Sequence, residues 1–117
     1  MSGWRAMLPP SALCALMVAA ALPAAAASFD CSRAAHADEK AVCANRQLSD
    51  LDVQMATTYR LLSGLLAMGM RGKLGDEQLA WLEQRRACGA RTACLKARYQ
   101  ERLQALQKVY DGIDKPL

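Results

Sequence analysis

Residues 78–106 read QLAWLEQRRACGARTACLKARYQERLQAL. Apolar side chains fall three and four apart on both sides of a small Cys-Gly corner: Gln78, Trp81, Leu82, Arg85 and Cys88 share one arc before it, and Leu95, Tyr99, Leu103 and Leu106 share one after it. That spacing is the period of the α-helix, not of a strand. It predicts two helices, over about residues 76–87 and 92–110, folded back on one another at Gly89-Ala90-Arg91, with Gly112 as the stop of the second.

Reading toward the N-terminus, Gly69, Gly72 and Gly75 interrupt the pattern, and residues 68–75 read as a flexible connector. Before them lies a long helix that starts at Ser49. The Ser49 hydroxyl is placed to cap, with Asp52 three residues on as a variant capping box and Leu48/Val53 as a staple. Its inward stripe is Leu51, Met55, Tyr59, Leu62 and Leu66. A short helix over residues 37–43 precedes it, with Asp38 and Glu39 near its positive end. No window alternates with a period of two, and Val42, Val53, Val109 and Ile113 are the only β-branched aliphatic residues after residue 27. The fold class is all-α: a small antiparallel bundle of three to four helices.

Residues 1–27 have a different composition. Arg5 and the α-amino group give a positive start, the run over residues 12–22 is apolar, and Pro23 with an alanine tract leads to an A-x-A site at Ala25 and Ala27. This is the layout of a Sec-type signal peptide. Pro9, Pro10 and Pro23 keep the apolar run below the roughly 18–20 residues of a membrane anchor, so no stable membrane insertion is expected once it is removed. Leu13 before Cys14 and Asp30 before Cys31 are not the small residues that lipidation requires, so there is no lipobox and the expected destination is the periplasm or the medium. The mature domain is then residues 28–117. Removing 27 of 117 residues leaves 90, and with Arg5 gone 14 basic face 11 acidic side chains, a net charge of +3 against +4 for the whole chain.

The same cut removes Cys14 and turns five cysteines into four: Cys31, Cys43, Cys88 and Cys94. An even number in a short exported chain points to two disulfides. Of the three connectivities, Cys31–Cys43 with Cys88–Cys94 is favoured, because the second pair brackets the tight corner and the first would pin the extended N-terminal residues to the first helix. Crossed pairings stay open. Two bridges suit a 90-residue bundle, which buries only about 60–65% of its unfolded surface.

Charged residues fall on the apolar faces. Arg85 lies inside the stripe of the third helix, Arg102 at the edge of the fourth, and Asp52 beside that of the second. Burying any of them unpaired is costly, which predicts that Asp52 contacts Arg85 or Arg102, fixing helix register and performing no chemistry.

Tests for other chemistry come back empty. One histidine, His36, and no Cys-x-x-Cys leave zinc and thioredoxin-type readings without their ligands. The connector glycines lack the Gly-Lys-Ser/Thr ending of a phosphate loop. The +4 charge is interspersed, unlike the basic stripe of a nucleic-acid binder. Neither a metal, a cofactor nor an enzymatic residue set is expected.

The motifs occur in a specific order. Ser28-Phe29-Asp30-Cys31 is followed by Glu39-Lys40-Ala41-Val42-Cys43 and Leu48-Ser49-Asp50-Leu51-Asp52. Then come Gln78-x-x-Trp81-x-x-x-Arg85 with Cys88, and Cys94-Leu95-x-x-x-Tyr99-x-x-Arg102. Over residues 29–106 this resembles the LprI-like family, small exported bacterial proteins named after a lysozyme-inhibiting member. Arg86 departs from the family pattern, which carries an acid there, and residues 68–75 are richer in glycine than usual.

The resemblance implies a disulfide-bridged helical domain and inhibition of lysozyme through a protein–protein contact. An inhibitor of that kind sets basic or hydroxyl groups against the paired carboxylates of the enzyme's cleft. Here the candidates are Arg71 and Lys73, around Gly72. Asp52, Trp81, Arg85, Tyr99 and Arg102 lie on inward faces and read as fold determinants. The alternative is a non-enzymatic envelope module for another protein or an anionic glycan, since a fold can be shared without its activity.

Overall fold

The computed structural model describes residues 26–114, together with Gly3, Pro10 and Ser11. The signal-peptide reading of residues 1–27, with Cys14, falls almost wholly outside the described residues. A 3-10 turn, η1 (Cys31–Arg33), precedes four α-helices: α1 (Ala37–Ala44), α2 (Arg46–Leu65), α3 (Met68–Ala87) and α4 (Thr92–Asp111). Among the described residues there is no strand. The architecture is an all-α bundle in which α4 lies mainly against α2, α3 runs beside both, and α1 crosses one end.

One spacing builds the core. Leu48, Asp52, Met55 and Leu62 are buried on α2, Leu74, Gln78, Trp81 and Arg85 on α3, and Leu95, Tyr99, Arg102 and Leu106 on α4. Steps of three and four keep each set on one side of its helix. Leu48, Leu95, Tyr99 and Leu106 are wholly excluded from solvent.

Two starts differ from expectation. The long helix begins three residues before Ser49, because Asn45 supplies the cap: its Oδ1 accepts from the Leu48 amide at 3.1 Å. Ser49 is buried inside the helix and donates its hydroxyl to the Val42 carbonyl at 2.6 Å, tying α1 to α2. Val53 is 41% exposed and forms no staple.

The larger correction concerns residues 68–75, which are no flexible connector. They form the first two turns of α3, and the link between α2 and α3 shrinks to Leu66 and Ala67. Each mid-helix glycine costs only about 1 kcal/mol relative to alanine. Burial of Leu74, 2% exposed, and the Arg71 side chain offset that cost. The Arg71 guanidinium donates to the Ser63 carbonyl at 2.9 Å and the Leu66 carbonyl at 3.1 Å, satisfying the open end of α2.

The corner between α3 and α4 is as the sequence indicates. Gly89 sits at φ +56, the left-handed region that glycine reaches without strain, and Cys88 is bridged to Cys94 across it. Cys31 is bridged to Cys43, pinning η1 to α1. In the chain-entropy account each bridge contributes about 2–3 kcal/mol.

The helical reading of residues 68–75 is checked by substitution. A Cβ at Gly69 or Gly72 meets nothing within 4 Å. Gly72→Ala is therefore expected to stabilise by about 0.5–1 kcal/mol, raising the thermal midpoint by a few degrees. A mobile loop would show no such gain. Gly89→Ala should do the reverse.

Candidate functional site

The most constrained chemistry is internal. Asp52, from the first third of α2, is 0% exposed, and Asp38, from the first turn of α1, is 1% exposed. Arg85, near the end of α3, reaches both. Its Nε donates to Asp38 Oδ2 at 2.8 Å, and its Nη1 stands 3.6 Å from Asp52 Oδ1. Tyr99 of α4 closes the group, donating its hydroxyl to Asp52 Oδ1 at 2.8 Å and accepting from Arg85 Nη1 at 3.2 Å. All four helices thus contribute one polar side chain to a single buried cluster.

Burial and charged neighbours act on both Arg85 and Tyr99. Burial pushes the Arg85 guanidinium down, but Tyr99 and Asp38 more than offset it, and the net shift is upward. Burial, and next the Asp52 carboxylate, push the Tyr99 phenol well above its ordinary value, so it stays a donor. Two aromatic rings shield the guanidinium: its Cζ lies 5.5 Å from the Phe29 centroid and 5.9 Å from the Trp81 ring. Trp81 packs edge-on against Tyr99 at 5.0 Å and donates its indole N–H to the Arg98 carbonyl at 2.9 Å.

Of the two expected partners of Asp52, the structure brings Arg85 to it and leaves Arg102 elsewhere. Arg102 Nε donates to Gln78 Oε1 at 2.8 Å, while Gln78 Nε2 reaches Met55 Sδ at 3.1 Å. Desolvation holds the Arg102 guanidinium below its usual value, with Glu77 and Tyr59 opposing. Asp38 is the member that sequence reasoning missed. Its place near a helix start suggested a surface role with the dipole, but its four-residue spacing from Val42 puts it on the buried face of α1.

The surface candidates divide. Arg71 is committed to the α2 carbonyls, as above. Lys73 is 69% exposed at its side chain and pairs loosely with Glu77 at 3.9 Å. Beside it, Leu66, Met70, Leu74 and Val109 line a small cleft. A wider apolar recess of about 290 Å³ is lined by Thr58, Leu61, Leu62, Leu65, Gln107 and Tyr110. Leu61, Leu65 and Met68 expose 62%, 61% and 86% of their surface around this end of the bundle. Cys31 is in a disulfide, and His36 lies 3.9 Å from Glu39. Among the described residues no group of three His, Cys, Asp or Glu is placed to hold a metal ion, and no helix is long and apolar enough to cross a membrane.

Compared with known proteins, the profile of a family described as Lysozyme inhibitor LprI matches residues 31–106. The chain belongs to this LprI family. Curated relatives include the proteins named Lipoprotein LprI of Mycobacterium tuberculosis (strain H37Rv) and Mycobacterium bovis, each 34% identical over 84 residues. The alignment covers 69% of this chain but 41% of either relative, so the chain spans about two fifths of their length. No solved structure matches it. The match takes in both disulfides, Asp38, Asp52, Arg85, Tyr99 and Arg102, and ends at Leu106, the last buried residue of α4.

Removing Arg85 strands two buried carboxylates. Arg85→Met is expected to cost about 3–5 kcal/mol, a large share of a small domain's stability. Arg71→Ala should cost only about 1 kcal/mol through its lost hydrogen bonds. Urea unfolding of the three proteins ranks them.

Proposed function

We propose that this LprI-family domain is exported and inhibits lysozyme, without catalysis, by binding at the enzyme's substrate cleft. The observation that carries the reading is the family match over residues 31–106, which takes in both disulfides and all four members of the buried polar cluster. The relatives named as lipoproteins agree with an envelope setting, although here the residues before Cys14 and Cys31 favour a cleaved signal and a soluble product.

The contact is assigned to the end of the bundle where α2 turns into α3. There Leu61, Leu65, Met68 and Met70 expose apolar surface next to the Lys73 ammonium. Interfaces draw their affinity from apolar side chains of this kind surrounded by a polar rim. Lys73 supplies the charge that meets the cleft's carboxylates, since its pairing with Glu77 is long and solvent-exposed and costs little to break. Arg71 holds the corner in shape and is not itself offered to the partner. A helical corner presents these side chains with less ordering cost than a mobile loop.

The mature net charge of +3 is repulsive toward a strongly basic lysozyme. Added salt screens that repulsion, so association with such an enzyme is expected to quicken between low and physiological ionic strength.

A cell-wall lysis assay with several lysozyme classes tests the proposal. Micromolar protein is expected to slow lysis for at least one class. Leu65→Asp and Lys73→Glu should each weaken inhibition about tenfold or more while the thermal midpoint stays within a few degrees. Undiminished lysis for every class tested would refute the inhibitor reading and leave a different envelope partner. Inhibition that survives both substitutions would move the contact off this corner.

A further inference from the structure

We propose that hydrolysis of the Ala27–Ser28 peptide bond creates a structural ion pair: the new α-ammonium of Ser28 seats on the buried carboxylate of Asp52 and neutralises the interior cluster. This rests on the export reading of the preceding section and is independent of lysozyme inhibition.

Three observations converge on this point. First, the Ser28 backbone nitrogen already lies 2.7 Å from Asp52 Oδ2, and the Ser28 hydroxyl donates to the same oxygen. Asp52 is 0% exposed while Ser28 is exposed, so the nitrogen sits at the mouth of the cluster with one side on the carboxylate and the other toward water. Second, the cluster is short of positive charge. Asp38 and Asp52 contribute two formal negative charges and Arg85 one positive charge, while Tyr99 stays neutral. Arg102 does not make up the difference, because its Nε is bound to Gln78. Third, the A-x-A pattern at Ala25 and Ala27, the last two such positions of the alanine tract, puts the cut at this nitrogen.

The chemistry balances with water and an endopeptidase of the signal-peptidase class. The oxygen of water adds to the Ala27 carbonyl carbon, the C–N bond breaks, and Ala27 departs as a carboxylate. The released Ser28 amine takes up protons and carries one positive charge at neutral pH, since α-amino groups titrate near 8. A single neutral N–H donor becomes a cation with three donors. One stays on Asp52 Oδ2, and the other two have solvent on the open side. A charge-assisted hydrogen bond is about twice as strong as its neutral counterpart. Burial of one partner protects the pair from the screening that weakens surface ion pairs.

The order of events follows from burial. Ala27 is only 8% exposed, so the carbonyl side of the scissile bond is packed against the core once the domain has folded, and the cut comes first. Ser28 then docks as the last piece of the cluster, with Phe29 immediately behind it over Arg85. Processing one residue earlier would leave Ala27 in place and an amide at Ser28, with no ammonium at Asp52.

The test expresses the full chain in an exporting bacterial host and sequences the N-terminus of the recovered protein. It is expected outside the cytoplasm and beginning at Ser28. Its α-amine should react with an acylating reagent at pH 7 about tenfold more slowly in the native state than in denaturant, the factor that one unit of upward shift gives below the ordinary pKa. Inserting Thr-Gln between Ala27 and Ser28 turns that nitrogen back into an amide, and should lower the thermal midpoint by about 5–10 °C. Asp52→Asn should abolish both the protection and the effect of the insertion. If Asp52→Asn does not fold, the native-state protection and the insertion shift decide the matter by themselves. Equal amine reactivity in the two states, or an unchanged midpoint on insertion, overturns the ion pair. Exported protein that begins at another residue overturns it while leaving export standing, whereas a cytoplasmic product that keeps residues 1–27 overturns both.

Discussion

The guanidinium of Arg85 is the point on which the four helices agree. It is 8% exposed and stands between two carboxylates that are more deeply buried than itself. Apolar stripes alone tell a helix which face to bury but leave its rotation and axial position loosely set, because one leucine contact resembles another. A carboxylate on α1, a carboxylate on α2 and a phenol on α4 must all meet one planar group on α3, and few arrangements satisfy all of them. The cluster therefore selects among packings that the hydrophobic effect would leave close in energy.

Around that point the polar residues are distributed in tiers. Gln78 and Arg102 pair farther along the bundle, joining α3 to α4 next to Met55. The Trp81 indole reaches the α4 backbone at Arg98, and Ser49 reaches back to α1. Each interior donor of this kind crosses between elements and so resists sliding of one helix on another. At the end of the bundle farthest along α2 from Asp52, apolar side chains remain uncovered.

Much of this was legible in the chain. The steps of three and four in residues 78–106 identify α3, α4 and their inner faces, and the same phase argument turns Arg85, Arg102 and Asp52 inward. Cys88 and Cys94 announce their corner because Gly89 lies between them. What resisted reading were features decided by partners remote in sequence. Asp38 looks like a dipole residue until Arg85, 47 positions away, is known to meet it. The glycines over residues 68–75 weigh against a helix locally, and only the burial of Leu74 and the Arg71 bonds to α2 reverse that balance. Asn45 and Ser49 both carry capping side chains, and the fold decides between them: Ser49 is drawn inward to the Val42 carbonyl, which leaves Asn45 to accept from the Leu48 amide.

The two bridges join cysteines that are consecutive along the described chain, Cys31 to Cys43 and Cys88 to Cys94, with separations of 12 and 6 residues. A polypeptide that meets an oxidant from its N-terminal end presents the first pair before the second exists. Pairing by order of appearance then yields the native connectivity, so the slow thiol–disulfide reshuffling that crossed pairs require has nothing to correct. Oxidative maturation of this fold reduces to two short, independent ring closures, and helix packing inherits the covalent frame instead of having to proofread it.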